Sequence, residues 1–182
     1  MSESPKEKEL PRSSCGLETT KSREGIERVK AFLESYKDSK NPDWMTNIIP
    51  YLSLVSYSSS PPHPSITFKF TVQPIHCNNL NTLHGGCAST ILDSCTTLVL
   101  HLISKPGFWQ YASVSRTVNV TYIRPIPVGT TTHVKCSILH AGRNLCSLRG
   151  EMRSVTEDGQ EGLLLVVCEH GKANINPPAE KL

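Results

Sequence analysis

The sequence predicts an α+β domain in which an antiparallel sheet packs on one long helix. Two observations support this fold class: an apolar helical segment in the middle of the chain, and strand-like segments with turn signals on both sides of it. The 182 residues fit a single domain of ordinary size. The expected order is a first helix, two strands, the long helix and then hairpin-connected strands.

The N-terminal part is expected to consist of a polar arm and an amphipathic helix that docks on the core. Residues 1–21 are polar and predict a flexible arm, because they cannot bury enough surface to fold alone. Apolar residues at helical spacing predict a helix from Ser22 to Lys40, with Ser22 as its cap and Asn41-Pro42 as its end. We assign residues 22–47 to this helix and a linker, 48–175 to the main domain and 176–182 to a tail.

Six segments have strand character, and turn residues lie between several of them. The predicted strands are Tyr51 to Tyr57, Ile66 to Val72, Tyr111 to Ile123, His133 to Leu139, Leu145 to Val155 and Leu163 to Cys168. A hairpin turn at Ala141-Gly142-Arg143-Asn144 joins the fourth strand to the fifth. An antiparallel sheet of this kind needs a helix to cover one of its faces.

The long helix is predicted from about His84 to Ile103 and is apolar on nearly every side, so it should be buried. Asp93 lies at its centre, and the residues three and four positions away are serines and threonines rather than cations. A buried carboxylate without a partner is costly or shifts its pKa, and such groups concentrate at reactive sites. We interpret Asp93 as a catalytic candidate; the alternatives are that it faces water or pairs with a distant arginine.

The helix begins with His84-Gly85-Gly86, although glycine is about 1 kcal/mol worse than alanine in a helix. Two glycines at this place make sense if a ligand must approach the backbone closely. The first-turn N–H groups have no partner within the helix, and the helix dipole adds partial positive charge, so they can stabilise an oxyanion. The alternative is a glycine-rich junction that binds nothing.

The spacing of these two features predicts a dimer. Gly85 and Asp93 are separated by about 12 Å along the helix axis, so one small reacting group cannot contact both from the same helix. If both serve one reaction, the second must come from another copy of the chain. This predicts a homodimer with two composite sites. A two-fold axis makes the sharing reciprocal, so each protomer contributes Gly85 to one site and Asp93 to the other.

A combined pattern runs through the same region: Asn78, His84-Gly85-Gly86, Asp93, Ser115 and the run from Asn119 to Pro125. This pattern resembles the hot-dog-fold acyl-CoA thioesterases, and within them the phenylacetyl-CoA thioesterase type, over about residues 48 to 175. The resemblance implies a hot-dog fold, in which a curved antiparallel sheet wraps the long helix, with an extra N-terminal helix in this chain. It also implies homodimers that pair through their sheets and often pair again into tetramers.

The resemblance implies roles for the residues of the pattern. The Gly85 N–H would polarise the thioester carbonyl, and Asn78 and His84 would orient that end of the substrate. Asp93 from the partner would activate water as a general base or attack directly, and Ser115 would help to place the water. Each role has an alternative: Asn78 could cap a turn and His84 could pack at the helix start. Ser115 lies on the polar side of its strand unless a bulge intervenes.

The remaining predicted site residues would bind the substrate. Gly86 belongs to the helix start, and the Gly142-Arg143-Asn144 turn offers N–H groups and a guanidinium suited to the phosphates of CoA. Tyr122 and Lys172 match positions near the nucleotide in the family. Ordinary surface charge is the alternative for Arg143 and Lys172. An acyl pocket between helix and sheet at the dimer seam could be lined by the following residues, which could equally be core: Cys87, Thr90, Ile91, Ser94, Cys95 and Leu98.

The predicted function is hydrolysis of an acyl-CoA thioester to a carboxylic acid and free CoA. No separate cofactor is expected, because CoA is part of the substrate. A hot-dog protein that binds acyl-CoA without cleaving it is the alternative. A hot-dog hydratase or dehydratase is less favoured, because the acid and histidine that those enzymes pair are not visible in the sequence. A serine hydrolase is disfavoured, since GxSxG is absent.

Composition argues against several other classes. A net charge of +3 is too mild to indicate a nucleic-acid partner, and the most apolar stretch contains Asp93, so no membrane span is expected. Seven cysteines, an odd number without CxxC, predict reduced thiols, and the histidine spacing predicts no metal site. The first residues lack the features of a signal or transit peptide. The cytoplasm is the expected compartment, with the mitochondrion or peroxisome as alternatives.

Overall fold

The structure is a computed structural model that describes residues 23–37, 43–111, 113–156 and 158–175. The predicted arm, the Asn41-Pro42 helix end and the tail lie outside the described residues. Within these ranges the helices are α1 (Gly25–Ser35) and α2 (Gly85–Val99). The strands are β1 (Leu52–Ser58), β2 (Ser65–Thr71), β3 (Val114–Tyr122), β4 (Thr131–Ala141), β5 (Leu145–Val155) and β6 (Glu161–Ala173). Short 3₁₀ turns cover Trp44–Asn47, Ile49–Tyr51, Pro74–His76 and Leu100–Leu102.

The strands form one antiparallel sheet in the order β1-β2-β4-β5-β6-β3, so β1 and β3 are its edges. The predicted α+β class is confirmed, and β5 has the predicted bounds. β6 is longer than predicted, because it continues past Cys168 to Ala173. The inward positions in this extension are His170 and Lys172, whose polar side chains interrupt the apolar pattern by which a strand is recognised.

α1 docks on the domain as predicted, but its start differs. Val29 and Leu33 are buried, and the helix packs against the Leu100–Leu102 turn and β1. Glu24 occupies the N-cap position without a side-chain cap hydrogen bond, and the predicted cap Ser22 lies outside the described residues. Gly25, the first residue of the helix, has a φ of +55°, a conformation that glycine adopts readily.

α2 packs on one face of the sheet and contacts β2 to β6. The sheet curves around this helix, as the predicted fold requires. Its sheet-facing residues are buried: Ala88, Ile91, Leu92, Cys95, Thr96, Leu98 and Val99. Gly150 of β5 allows the close approach, because a Cβ at this position would lie 2.9 Å from both Leu92 Cδ2 and Thr96 Cγ2. The core of the domain therefore lies between α2 and the sheet.

The opposite side of α2 is left partly exposed by the described residues. We call this side the polar stripe; it comprises Gly86, Ser89, Thr90, Asp93, Ser94 and Thr97. The prediction that α2 is buried on every side is therefore wrong for a single chain. Its large apolar residues all occupy the sheet-facing side, while small polar residues recur on the other side at helical spacing. No helix in the described part of the chain combines the length and apolar character needed to cross a membrane.

Candidate active site

The start of α2 presents a backbone N–H that the fold does not use. His84 is the N-cap residue, and its Nδ1 accepts a hydrogen bond from the Gly86 N–H at 3.0 Å. The Gly85 N–H has no acceptor among the described residues. Space is tight at both glycines, since a Cβ would lie 3.3 Å from the Tyr122 ring at Gly85 and 3.2 Å from the His84 ring at Gly86. The helix start can therefore offer the Gly85 N–H to an oxyanion.

Asn78 stabilises the turn that leads into the helix start. Its Oδ1 accepts hydrogen bonds from the Leu80 N–H at 2.9 Å, the Thr82 N–H at 3.3 Å and the Thr82 hydroxyl at 3.2 Å. This is the turn-capping role given as the alternative for Asn78. Within the described structure, only its Nδ2 group is left to contact a substrate.

Ser115 faces α2 because of an irregularity in β3. The register of β3 against β6 shifts between Ser115 and Thr117, which is the pattern of a β-bulge with Arg116 as the extra residue. Ser115 pairs with Lys172, and its hydroxyl donates to Asp93 Oδ1 at 2.9 Å. Strand parity alone would have placed Ser115 on the opposite face, so the bulge is the exception that the sequence interpretation left open.

Asp93 is surrounded by side chains from two other elements of the fold. His170 Nε2 lies 3.3 Å from Asp93 Oδ1 and 2.9 Å from Ser115 Oγ. Lys172 Nζ donates to Ser115 Oγ at 3.3 Å and to Thr97 Oγ1 at 3.0 Å. The Asp93 side chain is 44% exposed, and its Oδ2 makes no hydrogen bond within the described residues. One carboxylate oxygen is therefore fixed, and the other is free of hydrogen bonds within the described residues on a partly exposed side chain.

This arrangement corrects one sequence-based prediction. Asp93 is not buried without a cationic neighbour, because Lys172 of β6 lies beside it together with His170. Lys172 is only 3% exposed and its ammonium contacts Thr97 and Ser115, and its predicted place near the nucleotide stays a prediction. Helical spacing could not reveal these neighbours. The available signal was strand alternation, which continues from Val166 and Cys168 to positions 170 and 172.

Burial controls the protonation of this cluster. Burial, with a smaller contribution from the Lys172 charge, lowers the pKa of His170 to about 4 against the opposing effect of the Asp93 carboxylate. His170 is therefore neutral at pH 7. Burial also lowers the pKa of Lys172, against the attraction of Asp93. His170 Nδ1 lies 2.6 Å from Thr96 Oγ1, whose hydroxyl donates to the Leu92 carbonyl at 2.6 Å, and His170 Nε2 lies 2.9 Å from Ser115 Oγ, which donates to Asp93 Oδ1.

Tyr122 stabilises the start of α2 through hydrogen-bond contacts. Its hydroxyl donates to the Gly85 carbonyl at 2.9 Å and lies 2.6 Å from Ser89 Oγ. Tyr122, Gly85 and Arg124 also line a cavity of about 260 Å³. The predicted contact of Tyr122 with the nucleotide stays a prediction, and its observed role is to hold α2 against β3.

The Gly142-Arg143-Asn144 turn is stabilised by hydrogen bonds from Trp109 and Asn174, which are not part of the Asp93 cluster. Trp109 Nε1–H donates to the Gly142 carbonyl at 2.9 Å. Asn174 donates from its side chain to the Arg143 carbonyl at 2.9 Å and from its backbone to the Asn144 carbonyl at 2.8 Å. The Arg143 and Asn144 side chains are exposed, so the turn remains available for the phosphate role that the sequence predicts.

A cavity of about 740 Å³ opens beside the helix start. It lies between the Trp44–Asn47 turn, the segment 75–77 and the first turn of α2 at Gly86 and Cys87. Of the residues predicted to line an acyl pocket, Ile91, Cys95 and Leu98 are packed in the core of the single chain, and the pocket at the dimer seam stays a prediction. Cys87 is the one member of that predicted set that lines this cavity.

Comparison with known proteins identifies the family. Residues 80–160 match the model of the thioesterase superfamily. Mouse acyl-coenzyme A thioesterase 13 is 33% identical over 123 residues, which are 66% of this chain and 80% of that protein. The chain belongs to the thioesterase superfamily. The resemblance inferred from the sequence pattern is therefore confirmed.

Solved structures share the fold of this chain. Zebrafish thioesterase superfamily member 2 superposes with a TM-score of 0.65 at 22% identity, over 82% of this chain and 97% of that chain. The PaaI protein from the phenylacetic acid degradation operon of E. coli superposes with a TM-score of 0.55 at 14% identity, over 68% and 82% of the two chains. The predicted hot-dog fold with an extra N-terminal helix is confirmed.

Proposed function

We propose that this superfamily member is an acyl-CoA thioesterase that hydrolyses its substrate to a carboxylic acid and free CoA. The substrate class comes from the name of its mouse relative, acyl-coenzyme A thioesterase 13. The observation that carries the proposal is the state of Asp93. Ser115 fixes one of its oxygens, and the other oxygen is unoccupied on the exposed polar stripe, where it can accept a proton from water.

The proposed reaction uses two groups from different protomers. Asp93 Oδ2 takes a proton from a water molecule while the water oxygen attacks the thioester carbonyl carbon. The Gly85 N–H of the other protomer donates to the carbonyl oxygen as it becomes an oxyanion. When the intermediate collapses, the C–S bond breaks and the CoA sulfur receives the proton. The products are the acid and the thiol, and no separate cofactor is needed.

The described surface supports a homodimer of this kind. β3 is an edge strand whose backbone groups on one side are unpaired, and Val114 and Tyr122 on it are about half exposed. The polar stripe of α2 lies next to this edge, because Ser115 of β3 contacts Asp93. An open strand edge beside an open helix face is a surface that a second copy related by a two-fold axis can cover. Pairing of dimers into a tetramer is the corresponding proposal for the larger assembly.

A dehydratase or hydratase is a second candidate, because the Asp93–His170 pair supplies the acid and histidine that the sequence did not reveal. His170 is 1% exposed, however, and both of its ring nitrogens already have partners. A histidine in this state cannot pass a proton to a substrate directly. Hydrolysis through the exposed Asp93 is therefore the better-supported reaction.

A thiol-release assay across short, aromatic and long acyl-CoAs tests the proposal. Asp93→Asn should lower kcat by about 10²–10⁴-fold, the usual contribution of a general base, while the protein stays folded. Glu169→Gln is the matched control, because it removes an exposed carboxylate from the other face of β6 and should leave kcat unchanged. Single turnover in ¹⁸O-water separates the two roles of Asp93: a general base gives labelled acid and unlabelled Asp93.

The same panel tests the alternatives. Saturable binding of acyl-CoA without release of thiol would establish a binding protein and contradict hydrolysis. Addition of water to an enoyl-CoA, or its removal from a hydroxyacyl-CoA, would establish a hydratase or dehydratase. Full activity of Asp93→Asn would remove Asp93 from the mechanism.

A further inference from the structure

Lys172 is a buried cation at an inward position of β6. Its side chain reaches α2 and β3, where Nζ donates to Thr97 Oγ1 at 3.0 Å and to Ser115 Oγ at 3.3 Å. A charged group is costly to bury unless it is paired and hydrogen-bonded. The role of Lys172 should therefore be sought in what its two hydroxyl partners do.

Both of these hydroxyl groups donate their own protons to Asp93. The Ser115 hydroxyl donates to Asp93 Oδ1 at 2.9 Å, and the Thr97 hydroxyl donates to the Asp93 backbone carbonyl at 2.8 Å. An ammonium group has protons to donate and no lone pair with which to accept one. Each hydroxyl oxygen therefore accepts from Lys172 and sends its own proton elsewhere, which in both cases is to Asp93.

The charge of Lys172 also lies close to Asp93. The ammonium and Asp93 Oδ1 are both within 3.3 Å of the Ser115 oxygen, so they are separated by no more than about 6.2 Å. An opposite charge at about 4–6 Å favours the ionised form of a carboxyl group. The position of Lys172 therefore supports the form of Asp93 that can take a proton from water.

The other titratable groups that face this pair are neutral at pH 7. Burial lowers the pKa of His170 to about 4 and raises the pKa of Cys168 to about 11. Burial also raises the pKa of Cys146, which lies beside Lys172 on β5. Among these groups, Lys172 alone supplies a positive charge to Asp93.

We propose that Lys172 is a positioning residue for thioester hydrolysis, which directs the hydroxyl protons of Ser115 and Thr97 to Asp93 and stabilises the ionised carboxylate. The inference rests on the proposed function, because it gives Lys172 a task only if Asp93 acts on water. The competing role is a contact between Lys172 and the nucleotide part of CoA, and the kinetics of one variant distinguish the two.

Lys172→Met removes the charge and the donors while keeping a long side chain. It should lower kcat by about tenfold or more with little change in the KM for acyl-CoA, because the substrate still binds. Lys172→Arg keeps the charge and the donors and should recover part of the lost kcat. Lys69→Met is the matched control, because Lys69 is an exposed lysine of β2, and it should leave both constants unchanged.

A thioester without phosphates tests the nucleotide role separately. The acyl thioester of N-acetylcysteamine presents the same carbonyl carbon and sulfur as acyl-CoA but carries no nucleotide. Lys172→Met should lower kcat/KM by the same factor for both thioesters. A raised KM for acyl-CoA alone, with kcat unchanged and no effect on the N-acetylcysteamine thioester, would make Lys172 a nucleotide contact and overturn the inference.

The pH profile of kcat is a readout that a merely structural role would not move. On the acid side, Lys172→Met should lose activity at a pH about one unit higher than the natural sequence, because the carboxylate has lost its positive neighbour. On the basic side, burial lowers the pKa of Lys172 from its ordinary value of 10.5, against the attraction of Asp93. The natural enzyme should therefore lose kcat below pH 10.5 as the ammonium loses its proton, and Lys172→Met should not.

The basic side of this profile needs only the natural sequence, so it decides the matter even if Lys172→Met does not fold. A constant kcat up to pH 10.5 would overturn the inference, as would a folded Lys172→Met with unchanged kcat and pH profile. In either case, Asp93-dependent thiol release by the natural sequence would leave the proposed function intact. Failure to cleave any thioester would remove both.

Discussion

Ser115 determines how Asp93 is presented, because its hydroxyl donates to Oδ1 at 2.9 Å and also contacts His170 and Lys172. A hydrogen bond to a charged group contributes about 1.5–3 kcal/mol. We therefore expect Ser115→Ala to lower kcat by about tenfold or more with little change in KM, because the substrate can still bind. Steady-state kinetics measure this, with Ser147→Ala on the exposed face of β5 as control. An unchanged kcat would show that Asp93 needs no such support.

Two buried histidines predict sensitivity to acid. Burial lowers the pKa of His101 to about 3, with the Arg28 charge adding to the effect, and that of His170 to about 4. An unfolded histidine titrates near 6.5, so below that pH the unfolded chain binds more protons than the folded one. The free energy of unfolding should keep its full value above about pH 6.5 and decrease as the pH falls toward 4. The decrease should reach up to about 1.4 kcal/mol per pH unit for each histidine.

Urea unfolding at a series of pH values between 7.5 and 4.5 measures this dependence. His101→Phe should flatten the curve, because it removes one titrating group whose Nδ1 has no hydrogen-bond partner among the described residues. A slope that is the same in both proteins would show that His101 is protonated in the folded state.

The residues around Asp93 were harder to predict than Asp93 itself. Asp93 stands out because a carboxylate interrupts an apolar helix, a feature visible within a few positions of sequence. His170 and Lys172 lie far along the chain, and as polar residues at inward strand positions they resemble the end of a strand. The bulge at Ser115 was also beyond prediction, because it depends on the pairing of β3 with β6 rather than on local sequence.

At the scale of elements, the contact between α2 and β5 depends on Gly150. A Cβ there would lie 2.9 Å from Leu92 and Thr96 side-chain carbons, which are packed in the core. Gly150→Ala should therefore lower the free energy of unfolding by about 1–3 kcal/mol through overpacking. Thermal or urea unfolding measures this, and Ser147→Ala on the outer face of the same strand should have little effect. Equal stability of Gly150→Ala would mean that the helix can shift outward without cost.

The elements themselves followed from local patterns. The hairpin at positions 142–144 and the strand Leu145–Val155 were predicted because turn residues and alternation agree there. The position of α2 was predicted, but its polar stripe was not. The prediction considered the number of apolar residues and not that all of them lie on one side of the helix. The 3₁₀ turn Trp44–Asn47 has too few residues for a periodic pattern, so the sequence did not predict this wall of the large cavity.

At the scale of the whole molecule, the proposed reaction depends on a second protomer. The Gly85 N–H and Asp93 are held on one rigid helix at a separation of about 12 Å, and both lie at the surface of a single chain. The exposed edge of β3 gives the second copy a place to pair. A movement of loops cannot bring Gly85 and Asp93 together, because both lie on the same helix. If both act on one thioester, one of them must come from the other protomer.

Gly85→Pro removes the N–H while keeping the helix start. Proline is favoured at the first helical position, and His84 already has the extended backbone, with ψ of 133°, that precedes proline. Loss of an oxyanion donor should lower kcat by about 10²–10³-fold. Gly85→Ala is the matched control, because it adds a Cβ near Tyr122 and retains the N–H.

Complementation between two inactive variants tests the shared site most directly. Gly85→Pro and Asp93→Asn chains carrying different tags are co-expressed, and the heterodimer is purified through both tags. One of its two sites then contains an intact Gly85 from one chain and an intact Asp93 from the other, so thiol release should return to about half of the natural rate. A heterodimer as inactive as its two parents would show that both groups act within one chain and would contradict the account.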